Sequence, residues 1–321
     1  MKIGLVGLGG WARDAYLPLL AEMTEIRVEA VAARTEATRQ FAKKTFGSGL
    51  AVFADYKDLL KVETLDALLI ALPNSQHAEA LEAAAASNKH IFFEPPVATD
   101  NETAKRVLDA LAKSGCGIQA DLELRYLPVM KAVSAKLQSG VLGKPLMAKI
   151  RLWCDWGNKG GDWGKNIVGQ SFFSWIGPWY LDVLDCVFGA TAEEAFVVGG
   201  YNRNGKLMDY GWASLVYSGG QIGQWEFSLV SPQDTVIELL VVCDRGEIEV
   251  DLITGGWRWR HVDGIWKEEL SPASVPVFGF VGMREALHGF FDAISNGCIP
   301  RANIDVIRRV HCAVQLCSDA E

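Results

Sequence analysis

The sequence predicts an α/β protein in which a doubly wound parallel sheet is followed by an α+β domain with a mainly antiparallel, open sheet. Three observations support this. The first 120 residues alternate apolar strands with helices, a glycine-rich turn follows the first strand, and beyond Gly143 strands are joined by turns that contain glycine. With 321 residues, the chain is longer than one core usually holds, so we expect domains at 1–121 and 122–321.

The first domain is expected to contain five strands, at 2–6, 27–33, 66–72, 90–94 and 116–120. Its helices are expected at 12–22, 35–46, 56–61, 77–87 and 100–114. The apolar run from Leu65 to Leu72 lacks strict alternation with polar residues, which is typical of parallel strands covered on both faces.

The second domain is expected to begin with a helix at Pro128 that ends near Gly140, where a C-cap belongs. Strands are expected at 146–154, 194–202, 208–217, 221–230, 234–243, 246–253 and 256–261. Further helices are expected at 173–188, 283–296 and 303–318.

The glycine-rich turn directly follows the first strand and reads Gly7-Leu8-Gly9-Gly10-Trp11-Ala12. This G-x-G-x-x-A pattern between a strand and a helix is the fingerprint of a dinucleotide site. Gly7 permits the tight turn, Gly9 lets the backbone approach a diphosphate, and Ala12 lets the helix pack close to the strand. We predict that Gly7, Gly9, Gly10, Trp11 and Ala12 bind the cofactor.

The end of the second predicted strand indicates which dinucleotide is bound. An acidic residue there would bind the ribose 2′-OH of NAD, but the chain has Ala33-Arg34-Thr35. Arg34 can bind a 2′-phosphate through charge-assisted hydrogen bonds, and no carboxylate repels it. We therefore expect Arg34 and Thr35 to favour NADP(H) over NAD(H); the alternative is that Arg34 is simply solvated.

Composition excludes several classes of function. The net charge of -8 and the pI near 5.3 argue against a nucleic-acid partner. No signal peptide and no membrane span are recognised, and seven cysteines without a C-x-x-C pair are typical of a cytoplasmic protein. The histidines show no metal-ligand spacing, so we predict no metal site.

Four further segments carry a resemblance. Leu72–His77 looks like a P-N-x-x-H loop, and Lys89–Ala98 aligns with a G-K-H-V-x-x-E-K-P-x-A segment. Arg125–Lys144 is similar to an R-F-x-P…G-x-[IL]-G-K block, and Gly177–Gly189 to a D-x-G-x-H-x-x-D…G helix. With the glycine turn, these motifs resemble the Gfo/Idh/MocA oxidoreductase family over essentially the whole chain. The resemblance implies an NAD(P)-binding Rossmann domain followed by an α+β substrate and oligomerisation domain.

The resemblance also implies roles for particular residues. Pro73, Asn74, His77 and Glu94 are expected at the ribose and nicotinamide end of the cofactor, and the bond before Pro96 is a candidate for a cis peptide. The implied reaction is hydride transfer at nicotinamide C4 to or from a small cyclic substrate, sugar-like or planar. A homodimer or homotetramer formed through the open sheet face is also implied.

The chain departs from the family where a proton is usually handled. The family's lysine falls at Pro95, and its aspartate and histidine fall at Trp175 and Trp179. A positioned acid or base typically contributes ~10²–10⁴-fold to such a reaction, and neither Pro nor Trp can supply it. The residues considered as substitutes are Tyr126, Glu123 and Asp182, with Asp121 and Tyr180 nearby; for each, a structural hydrogen bond is the alternative.

Three functions remain open from the sequence. One is an oxidoreductase with non-standard proton handling, in which Trp153, Trp175 and Trp179 line the substrate side. A second is an enzyme like the biliverdin reductases, which lack the lysine and reduce a planar tetrapyrrole. A third is a cofactor-binding pseudoenzyme that acts as a sensor or regulator. The segment 155–163 is either a substrate lid or an irregular connection.

Overall fold

The computed structural model describes residues 1–156, 171–202, 207–232 and 234–321. Within these ranges the strands are β1 (Lys2–Val6), β2 (Arg27–Ala32), β3 (Ala51–Phe53), β4 (Ala67–Ile70), β5 (His90–Phe93), β6 (Ile118–Ala120), β7 (Pro145–Trp153), β8 (Ala192–Gly200), β9 (Tyr210–Tyr217), β10 (Ile222–Ser228), β11 (Val236–Cys243), β12 (Gly246–Asp251), β13 (Gly256–His261) and β14 (Lys267–Leu270). The helices are α1 (Leu17–Glu22), α2 (Glu36–Phe46), α3 (Tyr56–Leu60), α4 (Asn74–Ala85), α5 (Asn101–Lys113), α6 (Pro128–Gln138), α7 (Phe172–Phe188), α8 (Met283–Ser295) and α9 (Ile304–Ala320). A π-helical turn (Ala12–Tyr16) precedes α1, and a 3₁₀ turn (Glu123–Tyr126) precedes α6.

Residues Met1–Asp121 and Pro276–Asp305 form one compact unit around a six-stranded parallel sheet. The strand order is β3-β2-β1-β4-β5-β6, and each adjacent pair is parallel. The chain therefore builds the sheet in one direction from β1 to β3 and in the other from β4 to β6. This confirms the predicted doubly wound topology, with its switch point between β1 and β4.

Local sequence accounts for most elements of this unit. All four residues of β4 are buried, as expected of a parallel strand covered on both faces. Oxygen atoms of Thr35, Asp55 and Asp100 accept hydrogen bonds from backbone N–H groups at the starts of α2, α3 and α5. Each cap satisfies a donor that the helix leaves unpaired, which typically contributes ~1 kcal/mol.

The sequence did not predict two edge strands, β3 and β14. β3 has three residues, none of them fully buried, and β14 is the exposed tetrapeptide Lys-Glu-Glu-Leu. Both segments are too short to give a periodic signal, so only pairing with a neighbouring strand defines them. In addition, α4 begins at Asn74, three residues before the predicted start at position 77.

The predicted domain assignment is wrong for residues 276–305, although the boundary after Asp121 agrees with the structure. Met283, Leu287 and Phe290 of α8 are completely buried in the core of the first unit. The Phe290 ring lies 5.5 Å from the ring of Phe92 in β5. The sequence of an amphipathic helix predicts that one face is buried, but it does not indicate which sheet the helix packs against.

Residues Leu122–Val275 and Val306–Glu321 form the second unit, around an eight-stranded sheet. The strand order is β14-β13-β12-β11-β7-β10-β9-β8. Neighbouring strands are antiparallel except β7 and β10, which are parallel. The predicted α+β domain with a mainly antiparallel sheet is therefore confirmed.

The two faces of this sheet differ in burial. On the inner face, Trp225 is completely buried, and the ring of Phe172 in α7 stacks on it with centroids 5.2 Å apart. On the outer face, Phe196, Val198 and Trp212 are 62%, 69% and 49% exposed. The strand register places these three residues together on β8 and β9. The sheet is therefore covered on one side and carries exposed apolar side chains on the other.

The described ranges contain neither a membrane-spanning helix nor a cluster of metal-ligating side chains. No helix in them combines the length and apolar character needed to cross a membrane. No group of three or more His, Cys, Asp or Glu side chains in them is arranged to hold a metal ion. Most of the segment 155–163 lies outside the described residues, so its role as a lid or a connection stays a prediction.

Candidate functional site

The glycine turn after β1 has the geometry that its sequence predicts. Gly7 has φ +91°, and a Cβ atom there would lie 2.0 Å from the carbonyl oxygen of Ala71. The Gly7 N–H donates a 3.0 Å hydrogen bond to the carbonyl oxygen of Ala32 at the end of β2. The fold therefore requires glycine at position 7, because the backbone there lies close to the ends of both β2 and β4.

Gly9 and Gly10 are glycines for a different reason. Both are exposed, and a Cβ atom at either would meet no atom of the described residues within 4 Å, chain neighbours aside. The protein therefore leaves open space next to this backbone, which fits the close approach of a diphosphate. Ala12 is buried in the core, and the ring of Trp11 packs edge-on against the ring of Phe280, with centroids 5.2 Å apart.

The end of β2 carries the predicted residues Arg34 and Thr35, both exposed. Thr35 caps α2 by accepting a hydrogen bond from the N–H of Thr38. Sequence reasoning missed Arg13, whose Nη2 donates to Thr38 Oγ1 at 3.2 Å and whose Nε donates to the Leu8 carbonyl at 3.1 Å. Arg13 therefore links the glycine turn to the start of α2, and its position directly after Ala12 is the signal that could have found it.

The loops after β4 and β5 are joined by His77. Its side chain is buried, with Nδ1 2.7 Å from the carbonyl oxygen of Pro96 and Nε2 2.6 Å from that of Leu72. Burial lowers the pKa of His77, and a neutral imidazole has only one N–H, so it can donate to only one of these carbonyls. The side chain faces protein backbone on both sides, which makes His77 a residue that positions the loops.

The other residues predicted in these loops are more accessible. Pro73 is exposed and Asn74 is partly buried at the start of α4. The peptide bond between Pro95 and Pro96 is cis, as the sequence suggested, and both rings are buried. The family's lysine position is therefore occupied by a buried ring that has no ionisable group.

Two carboxyl groups lie next to each other at the carboxyl edge of the parallel sheet. Glu94 follows β5 and is partly buried, whereas Asp121 follows β6 and is completely buried. Burial and the nearby Asp121 raise the pKa of Glu94 to about 8, and burial raises the pKa of Asp121 to about 7. The hydroxyl of Tyr16, which sequence reasoning missed, donates a 2.8 Å hydrogen bond to Asp121 Oδ2.

In the second unit, the predicted residues Glu123 and Tyr126 share the 3₁₀ turn and are 3% and 1% exposed. Asp182 of α7 is completely buried, and both of its oxygens accept hydrogen bonds from Nε of Arg125, at 3.0 and 3.1 Å. Nη2 of Arg125 also bonds Asp182 and, at 2.9 Å, Asp185 Oδ2. This ion pair holds the 3₁₀ turn against α7. It gives Asp182 a structural hydrogen bond, which was the alternative to a role in proton transfer.

The three predicted substrate tryptophans are not brought together. Trp175 and Trp179 are both partly buried and, one helical turn apart, lie on the same side of α7. Trp153 ends β7 on the outer face of the sheet, since the neighbouring Leu152 is completely buried on the inner face. The guanidinium of Arg151 lies 4.6 Å from the Trp153 ring centroid. Because α7 covers the inner face, Trp153 does not lie on the face of the sheet that carries Trp175 and Trp179, and the substrate-side role of the three residues stays a prediction.

Two family models match this chain. The model described as an oxidoreductase family with an NAD-binding Rossmann fold matches residues 1–122, and the GFO/IDH/MocA C-terminal domain matches residues 130–249. The first model covers the glycine turn and the Glu94–Asp121 pair. The second covers most of the open sheet.

Curated relatives include inositol dehydrogenases. An inositol 2-dehydrogenase/D-chiro-inositol 3-dehydrogenase of Lacticaseibacillus casei is 31% identical over 150 residues, 46% of this chain and 43% of the relative. An uncharacterized oxidoreductase, YrbE, of Bacillus subtilis is 33% identical over 99 residues, 31% of this chain and 29% of the relative. This chain thus spans less than half the length of these two relatives. An inositol 2-dehydrogenase of Rubrobacter xylanophilus is 26% identical over 260 residues, 79% of this chain and 72% of the relative.

Solved structures share the fold over nearly the whole chain. Levoglucosan dehydrogenase in complex with NADH superposes with a TM-score of 0.84 at 18% identity, covering 100% of this chain and 98% of the other. An oxidoreductase from Agrobacterium radiobacter in complex with NAD+, L-tartaric acid and magnesium gives 0.82 at 16% identity, covering 100% and 97%. Because the two family models together match more than half of the chain, one in each predicted domain, this protein belongs to the GFO/IDH/MocA oxidoreductase family.

Proposed function

We propose that this protein is an NADP(H)-dependent oxidoreductase that transfers a hydride between the nicotinamide ring and a hydroxyl-bearing carbon of a small cyclic substrate of the sugar or inositol type. The observation that carries the proposal is the open space beside Gly9 and Gly10 at the switch point of a doubly wound sheet, where such folds bind dinucleotides. The inositol dehydrogenases among the relatives support the substrate class.

The residues of the first unit fit the parts of such a cofactor. The backbone at Gly9 and Gly10 would hold the diphosphate, and Pro73, Asn74 and Glu94 would lie toward the nicotinamide. When bound, the cofactor supplies the hydride acceptor or donor at nicotinamide C4. Because nicotinamide dinucleotides are intracellular metabolites, the proposal includes the cytoplasm as the place of action.

The preference for NADP(H) rests on the charge around the end of β2. Arg34 is exposed there, and Arg13 is held nearby by Leu8 and Thr38. Two guanidinium groups beside the capping hydroxyl of Thr35 would neutralise a 2′-phosphate. The levoglucosan dehydrogenase neighbour was solved with NADH, so the relatives do not themselves favour the phosphorylated cofactor.

Calorimetric titration of the purified protein with NADPH and NADH tests this proposal first. We expect NADPH to bind more tightly and Arg34→Ala to weaken NADPH about 10–100-fold, the equivalent of a lost charge-assisted hydrogen bond, while NADH changes little. Arg27→Ala, at the opposite end of β2 with a side chain 78% exposed, is the matched control. Equal affinity for both cofactors would contradict the NADP(H) preference, and no binding of either would contradict the enzyme proposal.

The substrate class is tested by following NADPH absorbance against inositols, sugars, keto-sugars and a bilin. Aromatic rings pack well against the C–H face of a ring substrate, and Trp175 and Trp179 offer two such rings on one side of α7. Turnover with a polyol supports the proposal. Turnover with the bilin alone would make the protein similar to a biliverdin reductase, and tight cofactor binding without any turnover would favour a sensor.

We also propose that the outer face of the open sheet joins copies of this chain into a homodimer or homotetramer. Phe196, Val198 and Trp212 give this face a cluster of exposed apolar side chains, which is typical of an interaction surface. Light scattering should report an oligomer for the wild type and a smaller species for Trp212→Glu. Val262→Glu, at a residue 69% exposed in the turn after β13, should leave the mass unchanged. A monomeric wild type would contradict this proposal.

A further inference from the structure

Glu94 and Asp121 are adjacent because their strands are paired in register. β5 and β6 are parallel with Phe93 opposite Ala120, and the Asp121 N–H donates a 2.8 Å hydrogen bond to the Phe93 carbonyl. Each carboxyl group belongs to the residue that directly follows its strand. Two acidic side chains therefore start from neighbouring points on the same edge of the sheet, and their charges interact.

In the part of the chain that the structure describes, a buried tyrosine beside the pair donates a hydrogen bond to Asp121. The ring of Tyr16 is 1% exposed and packs edge-on against Phe92, and its hydroxyl donates to Asp121 Oδ2. Asp121 Oδ1 is buried and has no hydrogen-bond partner in the described part of the chain. A buried carboxylate without a second donor is costly, so protonation of the pair would lower this cost.

The titratable groups that act on one another here come from three elements. They are Tyr16 from the π-helical turn before α1, Glu94 after β5 and Asp121 after β6. Burial raises the pKa of both carboxyl groups, and the nearby Asp121 raises the pKa of Glu94 further. Mutual repulsion and burial both oppose double ionisation, and two like charges in one site usually share a proton.

The pair also lies in the half of the sheet where proton transfer would be needed. A dinucleotide at a switch point extends across the carboxyl ends of the strands on both sides of it. If its adenosine half lies toward β2 and Arg34, its nicotinamide half lies toward β4 and β5, where Glu94 is the partly exposed member of the pair. The neighbouring Pro95 has no ionisable group.

We propose that Glu94 and Asp121 share one proton, that Glu94 is the acceptor of the substrate's hydroxyl proton, and that Tyr16 and Asp121 position it. This inference rests on the proposed function. As the substrate carbon loses its hydride to the oxidised nicotinamide, the O–H bond breaks, its electron pair completes the carbonyl, and the proton moves to the Glu94 carboxylate. The reverse reaction returns the proton from Glu94 to the carbonyl oxygen.

A consequence can be measured without any substrate. The oxidised nicotinamide ring carries a positive charge and the reduced ring does not. A cation next to the pair favours its doubly ionised form, so NADP⁺ should expel a proton that NADPH leaves in place. Titration calorimetry near neutral pH, in buffers that differ in ionisation enthalpy, gives the number of protons released with each cofactor.

We expect the wild type to release up to one proton with NADP⁺ and little with NADPH. Glu94→Gln should abolish the difference and still bind both forms, whereas Glu102→Gln, an exposed carboxyl in the first turn of α5, should retain it. Tyr16→Phe removes a donor that stabilises ionised Asp121, so the pH midpoint of proton release should move upward. Equal proton release with both cofactors, or unchanged release in Glu94→Gln, would overturn the proposal.

If neither cofactor binds, the proposed function fails, and the shared proton is tested on the protein alone. Infrared titration should then find a carboxyl group that ionises near neutral pH in the wild type and in Glu102→Gln. This signal should be lost in Glu94→Gln and shifted in Asp121→Asn. Its absence from the wild type would show that the two groups do not share a proton.

Discussion

Tyr16 donates its hydroxyl hydrogen to Asp121 at 2.8 Å, although 105 positions separate the two residues in the chain. One residue belongs to the turn that follows the first strand, and the other follows the last strand of the parallel sheet. Their contact joins the π-helical turn that follows the glycine turn to the carboxyl end of β6. Tyr16, the side chain that donates this hydrogen bond to Asp121, is itself 1% exposed.

The buried carboxyl pair of Glu94 and Asp121 makes the free energy of unfolding fall as the pH rises. The pKa is raised to about 7 for Asp121 and about 8 for Glu94, whereas carboxyl groups in the unfolded chain ionise near pH ~4. Between these values the native state binds more protons than the unfolded state. The contribution of the pair is therefore fully present below about pH 4 and is lost as the pH rises toward about 8.

Asp121→Asn tests this dependence by urea unfolding at several pH values. The variant keeps a side chain that can accept from Tyr16 but removes one acid. Its free energy of unfolding relative to wild type should therefore rise with pH, on the order of 1 kcal/mol per pH unit across the window. Glu102→Gln should follow the wild type at every pH. Parallel curves for Asp121→Asn and wild type would contradict the raised pKa values.

The glycine turn predicts opposite outcomes for two alanine substitutions. Gly7→Ala should lower the free energy of unfolding by about 1–3 kcal/mol from backbone strain alone, and the clash with the Ala71 carbonyl should add to this loss. Gly9→Ala meets open space, so its stability should stay within about 0.5 kcal/mol of wild type. Cofactor affinity should nevertheless fall about tenfold or more in Gly9→Ala. Urea unfolding and calorimetric titration of both variants measure these effects, and a stable Gly7→Ala would contradict the turn geometry.

The buried ion pair of the second unit should be important for stability. Asp182→Asn leaves Arg125 with a weaker partner in a site where both side chains are buried, and breaking such a pair typically costs about 3–5 kcal/mol. Asp58→Asn, which breaks the exposed pair with Lys61, is the control and should cause no measurable loss. Thermal and urea unfolding give both values. Unchanged stability of Asp182→Asn would return Asp182 to the list of candidate proton carriers.

The aromatic core beneath the open sheet is a further test of the fold. Trp225 is completely buried, with ring centroids of Phe172 and Tyr180 at 5.2 and 5.1 Å. Trp225→Ala should cost about 3–5 kcal/mol because it removes this packing and leaves a cavity. Ile265→Ala, at a side chain 85% exposed, should have little effect on urea unfolding. Similar stabilities for the two variants would contradict the packing.

Most of the fold could be predicted because its signals are local. Gly7 needs a positive φ, Thr35 and Asp100 cap helices, and the apolar run of β4 marks a buried strand. Each signal is carried by a few neighbouring residues. The short edge strands gave no such signal, since three or four residues without alternation look the same in a loop.

Only some residues of the candidate site were predicted, again because only local signals can be read from the sequence. Arg34 was predicted from its position at the end of β2, and Glu94 from the family resemblance. Arg13 was not predicted as a site residue because its role depends on a contact with Thr38. Tyr16 was not predicted because its role depends on a contact with Asp121. The face of the sheet that Trp153 occupies could not be predicted, because an aromatic residue at the end of a strand does not reveal its face; the burial of the neighbouring Leu152 decided it.

The sequence by itself determined the order of the helices and of all strands but β3 and β14, the glycine turn, the boundary after Asp121 and the loss of the family's lysine at Pro95. These are properties of residue type and short-range spacing, which act through backbone conformation and apolar periodicity. Only the tertiary structure decided that 276–305 packs into the first unit and that Glu94, Asp121 and Tyr16 form one cluster. Those outcomes depend on which distant surfaces bury each other, and burial also sets the pKa values on which the proposed chemistry depends.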